Sequence, residues 1–235
     1  MATYREKHSI RKATEDFLQN RFVDEVIIVS NNAEKGTEEQ VKKTKAKFLE
    51  EKRQGYGYAF QSGIQAAKGD YIVVCEPDGT YTASDIEKFL LYAKDGIDVV
   101  FGSRTGQNTL LSGADMTIWR KWANVIEAKS IEVLFNTNAF SDVGCTYKLL
   151  TKPAVKKLRN LWEKTDSLFA TEILLLTVTH HLKYIEIPII FKKRVGESSL
   201  TRKWYQLVKW GIYIQLYIFF FWIQWIFGKN RLTEK

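Results

Sequence analysis

The sequence predicts an α/β sandwich around a buried sheet, followed by one membrane-spanning helix. Three observations carry this expectation. Apolar runs of four or five residues recur along residues 5–190, as strands covered on both faces require. Segments of helical period separate them. The stretch 210–228 (WGIYIQLYIFFFWIQWIFG) then holds no charge at all.

Residues 8–19 place Ile10, Ala13, Phe17 and Leu18 on one helical stripe, and 26–29 (VIIV) form a short strand. A charged helix is expected over 38–47 and another over 58–67, after Gly55-Tyr56-Gly57. Residues 71–75 (YIVVC) read as a second strand ending in Glu76-Pro77-Asp78-Gly79. Ser84-Asp85-Ile86-Glu87 has the form of a capping box and opens a helix to residue 93. A third strand follows at 99–101, then helices near 115–134, 153–162 and 167–178, and a strand over 184–191. Parallel pairing is expected throughout.

The chain has 235 residues, 45% of them hydrophobic and 14% aromatic, which suffices for a substantial core. With 3 Pro and 14 Gly it is neither collagen-like nor disordered. Cys75 and Cys145 cannot make a disulfide framework and fit a reducing compartment. Three histidines and no Cys-x-x-Cys argue against a zinc site.

The net charge is +8, and its position decides its meaning. From residue 192 onward there are nine Lys or Arg against two Glu, nearly the whole imbalance. Basic residues beside an apolar run mark a membrane surface, so no nucleic-acid partner is expected. As a helix, 19 residues at ~1.5 Å each reach about 28 Å, close to a ~30 Å hydrocarbon core. Gln215 and Gln224 fall on opposite sides of that helix, so it has no polar face on which to lie flat. Lys and Arg are denser before the span than after it, which places the body of the protein on the cytoplasmic side.

Ligands of such sheets bind at the carboxyl ends of the strands, which brings forward residues 30–37, 76–81 and 102–104. Glu76 and Asp78, spaced i and i+2 after a hydrophobic strand, can turn into one cleft because Pro77 and Gly79 permit the bend. Two hard oxygen ligands suit Mg²⁺ or Mn²⁺ shared with a substrate diphosphate. An ordinary strand-end turn is the other reading of the same residues.

Several motifs occur in order around that pair. They are Gly55-Tyr56-Gly57-Tyr58-Ala59, Ala67-Lys68-Gly69-Asp70-Tyr71-Ile72, Glu76-Pro77-Asp78-Gly79-Thr80-Tyr81 and Gly102-Ser103-Arg104. Asp142-Val143-Gly144-Cys145-Thr146-Tyr147-Lys148, Glu172, Glu186-Ile187-Pro188-Ile189 and Arg194-Val195-Gly196-Glu197-Ser198 continue the series. The set resembles the family 2 glycosyltransferases, and within them the polyprenyl-phosphate sugar synthases of the dolichyl-phosphate mannose and glucose type. The resemblance implies a GT-A-like, nucleotide-sugar-binding sandwich over residues 1–200. Residues 201–235 then supply a basic juxtamembrane segment and a single transmembrane helix at about 210–228. The implied reaction moves a sugar, with inversion, from a nucleotide-sugar donor to a membrane polyprenyl phosphate. A glycan hydroxyl acceptor and an inactive scaffold are the alternatives.

Carried over position by position, the resemblance places a divalent metal (Mg²⁺ or Mn²⁺) on Glu76 and Asp78, with Glu76 standing where the family has its first Asp. Arg194 falls where a basic residue meets phosphates. The donor is expected against Tyr4, Glu6, Ser30, Asn31, Asn32, Gly57, Glu76 and Arg104, a phosphate contact being favoured for Arg104 over a mere strand end. The acceptor is expected near Glu172, Ser198, Arg202 and Lys203, with Glu172 open to a second reading as a helix surface charge. Asp78, Asp142 and Arg194 are the expected catalytic groups, Asp142 as the base for a hydroxyl acceptor or else as a turn-capping residue. The strand with which the family opens is missing, since Thr3-Tyr4-Arg5-Glu6-Lys7 matches only the turn after it.

Overall fold

The computed structural model describes residues 1–105, 117–137, 140–196 and 204–232. Its first half runs β1 (Ala2–Thr3), α1 (Ile10–Leu18), β2 (Ile27–Ser30), α2 (Thr37–Val41), β3 (Lys47–Glu50), α3 (Tyr56–Ala66), β4 (Tyr71–Val74), α4 (Ile86–Lys94) and β5 (Val99–Ser103). The second half runs α5 (Ile118–Phe135), β6 (Lys148–Thr151), α6 (Lys152–Leu158), α7 (Phe169–Thr179), β7 (Tyr184–Pro188) and α8 (Trp204–Leu232).

The strands form two groups, β1-β2-β3, all parallel, and β4-β6-β5-β7. Here β6 lies antiparallel between β4 and β5, while β5 and β7 are parallel. The pleat sends alternate residues to opposite faces. Ile27, Val29, Ile72, Val74, Val99 and Phe101 join the apolar faces of α3, α5, α6 and α7. Val26, Ile28, Val100, Leu149 and Ile187 pack with α1 and α4 on the other side. Helix α7 is buried along most of its length because α8 and α5 close over it. On α8, Ile218 is fully buried, and Trp225 stacks obliquely on Phe135 of α5 at 5.5 Å between ring centroids.

The structure corrects the sequence reading at five points. Pairing is mixed, because residues 148–151 form the antiparallel β6. The charged helix is only Thr37–Val41, and the chain then enters β3. No side-chain cap forms at α4; Ser84 Oγ bonds Thr82 Oγ1 at 2.6 Å, and a 3₁₀ turn (Ala83–Asp85) leads in. The last strand stops at Pro188 rather than 191. The opening strand is reduced rather than missing: Ala2 and Thr3 pair with Val29 and Ser30, and the Met1 nitrogen donates to Ile27 O at 2.8 Å. Beside it, between β2 and β4, lies an apolar cavity of about 130 Å³ bounded by Met1, Ile27, Ile64, Ile72 and Val74.

Gly57 makes one of the tight backbone contacts that shape the site. Its N–H donates to Thr165 O at 2.8 Å. A Cβ there would stand 2.5 Å from Lys164 O and 2.7 Å from the Thr165 carbonyl carbon. Backbone atoms cannot swing aside as a side chain does. Gly57→Ala is therefore expected to cost about 1–3 kcal/mol or more, through a forced shift of the 163–165 loop, measured by chemical unfolding.

Candidate active site

A cavity of about 410 Å³ opens where the carboxyl ends of β1, β4 and β5 converge. Three walls build it.

The first wall comes from the turns after β1 and β2. Glu6 folds back on its own turn, its Oε2 accepting from Thr3 Oγ1 at 3.0 Å, Tyr4 N at 2.7 Å and Arg5 N at 2.9 Å. Asn31 Nδ2 donates to Arg53 O at 2.7 Å and Glu51 O at 3.2 Å, while its Oδ1 accepts from Gly55 N at 2.8 Å. Asn31 thereby fixes the loop that leads into α3. Thr3, Tyr4, Glu6 and Asn31 all face the cavity. Ser30 Oγ accepts from Ala33 N at 3.3 Å, and Asn32 bonds the Gln54 side chain from a left-handed backbone (φ 54°). Those two shape the turn without lining the cavity.

The second wall holds the charge. Glu76 Oε1 accepts from Tyr56 Oη at 2.7 Å and Thr146 Oγ1 at 3.0 Å. Asp78 Oδ1 accepts from Thr80 N at 2.9 Å and Thr80 Oγ1 at 2.6 Å, and its Oδ2 accepts from Arg194 Nε at 2.6 Å. Burial, and then the neighbouring charge of Asp78, push the Glu76 carboxyl upward. Asp78 also raises the Arg194 guanidinium against the opposing effect of burial. Glu76 Oε2 accepts no hydrogen bond among the described residues, and the Arg194 charge acts on this carboxylate without a direct bond. A cation fits this donor set, because it would relieve the crowding of two carboxylates facing one cavity. Among the described residues no cluster of three or more acidic, Cys or His side chains could hold a metal by itself. Any metal there would need further oxygens from its ligand.

The third wall is helical. Arg120, Asn124 and Glu127 on α5 and Leu207, Trp210, Gly211 and Ile214 on α8 enclose the far end. Arg104 reaches the cavity from the end of β5, held by Asp142 from behind. Its Nε and Nη2 each donate to Asp142 at 2.8 Å, and its backbone N–H adds a third bond at 2.8 Å. Glu186 accepts in turn from Ser141 N at 2.8 Å and Asp142 N at 3.0 Å, which fixes that segment.

Glu76, Asp78, Arg104, Arg194, Tyr4, Glu6 and Asn31 are therefore brought together as expected. Asp142 is not on the cavity surface. Both of its oxygens are committed to Arg104 and its side chain is fully buried, so it positions that arginine. Glu172 is also turned away. It accepts from the backbone N–H groups of Glu163 and Lys164, at 3.0 and 3.1 Å, and anchors the loop that Gly57 packs against. Ser198, Arg202 and Lys203 lie outside the described residues. Sequence reasoning missed Tyr56, Thr146, Asn124 and Glu127. Tyr56 and Thr146 sat inside motifs already singled out, but the two α5 residues left no signal beyond a polar stripe.

Helix α8 contains a stretch, Tyr205–Gly228, long and apolar enough to cross a membrane. Helix α5 adds to its outer surface, with Ile118, Trp119, Trp122, Ile126 and Val133 all exposed, Trp119 by 74%.

Comparison with known proteins agrees with this architecture. Residues 1–158 match the sequence family described as Glycosyl transferase family 2. A dolichyl-phosphate hexose transferase of Haloferax volcanii is 27% identical over 204 residues, covering 85% of this chain and 84% of that protein. The low-salt glycan biosynthesis hexosyltransferase Agl6 of the same organism is 25% identical over 197 residues, 81% of this chain and 45% of its own length. Glucosyl-3-phosphoglycerate synthase from Mycobacterium tuberculosis, crystallised with Mn²⁺, UDP-glucose and glycerol 3-phosphate, superposes with a TM-score of 0.70 over 92% of this chain and 77% of that one. At 14% identity this last likeness is one of fold, a GT-A-like mixed α/β sandwich.

Proposed function

The chain belongs to glycosyl transferase family 2, and from that premise we propose that it transfers a hexose from a nucleotide sugar to a membrane polyprenyl phosphate. One observation carries the acceptor side of this reading. The cavity that begins among Glu76, Asp78 and Arg194 ends against α8, the helix suited to the membrane. A lipid headgroup standing at the membrane surface would enter there directly. The exposed apolar stripe of α5 extends the same surface, and the hexose transferase of Haloferax volcanii supports a lipid-phosphate acceptor by likeness.

In this reading Asn31, Tyr4 and Glu6 receive the nucleoside end of the donor. Glu76 and Asp78 hold a divalent metal together with its diphosphate. The metal, when bound, supplies positive charge that offsets charge growing on the leaving diphosphate. Arg194 turns its guanidinium from Asp78 toward the same phosphates, and Arg104 offers a second fixed cation. A phosphate acceptor is already anionic at neutral pH, so the absence of a free base at Asp142 does not hinder it. The basic residues before the span support a cytoplasmic orientation for this face.

The test is binding of UDP- and GDP-sugars to detergent-purified protein with and without Mn²⁺, followed by transfer assays on polyprenyl phosphate and on soluble glycans. Metal-dependent donor binding with transfer to the lipid phosphate alone is the expected result. Transfer to glycan hydroxyls alone would move the protein to the tether reading. Failure to bind either donor class would leave a non-catalytic scaffold.

A further inference from the structure

Glu127 is a buried carboxyl with no role in the scheme above. On α5 it follows Arg120 and Asn124 at spacings of seven and three residues, and the three form one stripe along the face that lines the cavity. Asn124 is committed, its Oδ1 accepting from Gly144 N at 2.9 Å and its Nδ2 donating to Arg120 O at 2.9 Å. Glu127 is only 5% exposed, and neither oxygen has a hydrogen-bond or ion-pair partner among the described residues. The wall it faces is Leu207, Trp210, Gly211 and Ile214 of α8, and a Cβ added at Gly211 would lie 3.7 Å from Glu127 Oε1.

A polar group this buried is costly unless something completes its hydrogen bonds, and the cavity is the side from which a partner reaches it. Burial, and then the charge of Asp142, push the carboxyl up to about 8. At neutral pH it therefore carries a proton and can donate.

We propose that Glu127 binds the acceptor, donating its O–H to an oxygen of the lipid-phosphate headgroup at the end of the cavity walled by α8. The inference rests on the lipid-phosphate reading above. A carboxylate in this place would repel an anionic headgroup, whereas a neutral carboxyl shares its proton with one. Arg120, on the same stripe, brings a positive charge to the same end of the cavity. The donor diphosphate is served by Arg194 on the opposite wall, so Glu127 distinguishes the two phosphorylated substrates by position.

The experiment uses the full chain in detergent, with initial rates measured against each substrate in turn and donor binding measured separately. Glu127→Ala is expected to raise the KM for polyprenyl phosphate by about tenfold or more, the loss of one hydrogen bond to a charged group, with donor binding unchanged. Glu127→Leu, similar in volume but without a donor, should match it, which separates the lost bond from a collapsed pocket. Glu127→Gln keeps an N–H donor at the same reach and should recover most of the acceptor affinity. An unchanged acceptor KM in Glu127→Ala and Glu127→Leu, or loss of donor binding in all three variants, would overturn the assignment. A wild-type protein that transfers to no lipid phosphate would remove the acceptor reading itself, and this inference with it.

Discussion

Asp142→Ala should be among the most destabilising single substitutions in the body of the protein, by about 3–5 kcal/mol in equilibrium unfolding. The size follows from what is left behind. The Arg104 side chain is only 15% exposed, and Asp142 accepts two hydrogen bonds from it and a third from the Arg104 backbone N–H. Removing the carboxylate takes the two-pronged counter-charge from a mostly buried guanidinium that cannot lose its own charge, so a large part of its desolvation cost appears. The Glu186 carboxyl, already pushed upward by burial, would lose a neighbour that helps fix the 141–142 segment it binds. Asp142→Asn separates charge from shape, since one oxygen still accepts from Arg104, and should recover part of the loss. If Asp142 were instead a free catalytic base, both variants would unfold like wild type and differ only in rate.

The body of the fold was legible wherever a strand is buried on both faces. Residues 26–29, 71–75 and 99–101 announce themselves as apolar runs, and their observed boundaries fall within two residues of those expected. Lys47–Glu50 was not legible. It pairs along one side only, with β2, and its charged ends look like a continuation of the helix before it. Lys148–Thr151 escaped for a different reason. Lys148 is 2% exposed, with its ammonium on the Cys145 carbonyl and near the Phe101 ring, and no local pattern announces a lysine buried mid-sheet. The charged wall of the site was legible as ordered motifs, although Asp78 and Arg194 stand 116 residues apart. Glu127 was not, because a glutamate inside a helix reads as a solvated charge until the partner helix is seen to cover it.

Asp78→Ala is the other large effect expected, and it acts on chemistry more than on stability. Asp78 is where two demands meet: its Oδ1 holds the turn through Thr80, and its Oδ2 holds Arg194. Truncation frees Arg194 into the cavity, where a mobile cation could meet a diphosphate but would no longer be aimed at one. It also leaves Glu76 alone to hold a metal, one carboxylate where two faced the same space. Transfer should fall on the order of 10²–10³-fold, the scale seen when one preorganised electrostatic group is removed from an active site. The diagnostic reading is the metal response. Wild-type donor binding should strengthen with Mn²⁺, whereas Asp78→Ala should bind weakly and equally with and without it. Asp78→Asn, which keeps an oxygen for Thr80 but gives up the charge, should preserve the turn and still lose the metal response. If Asp78→Asn retained full Mn²⁺ dependence, the metal would have to rest on Glu76 and the substrate alone, and Asp78 would be a positioning residue for Arg194.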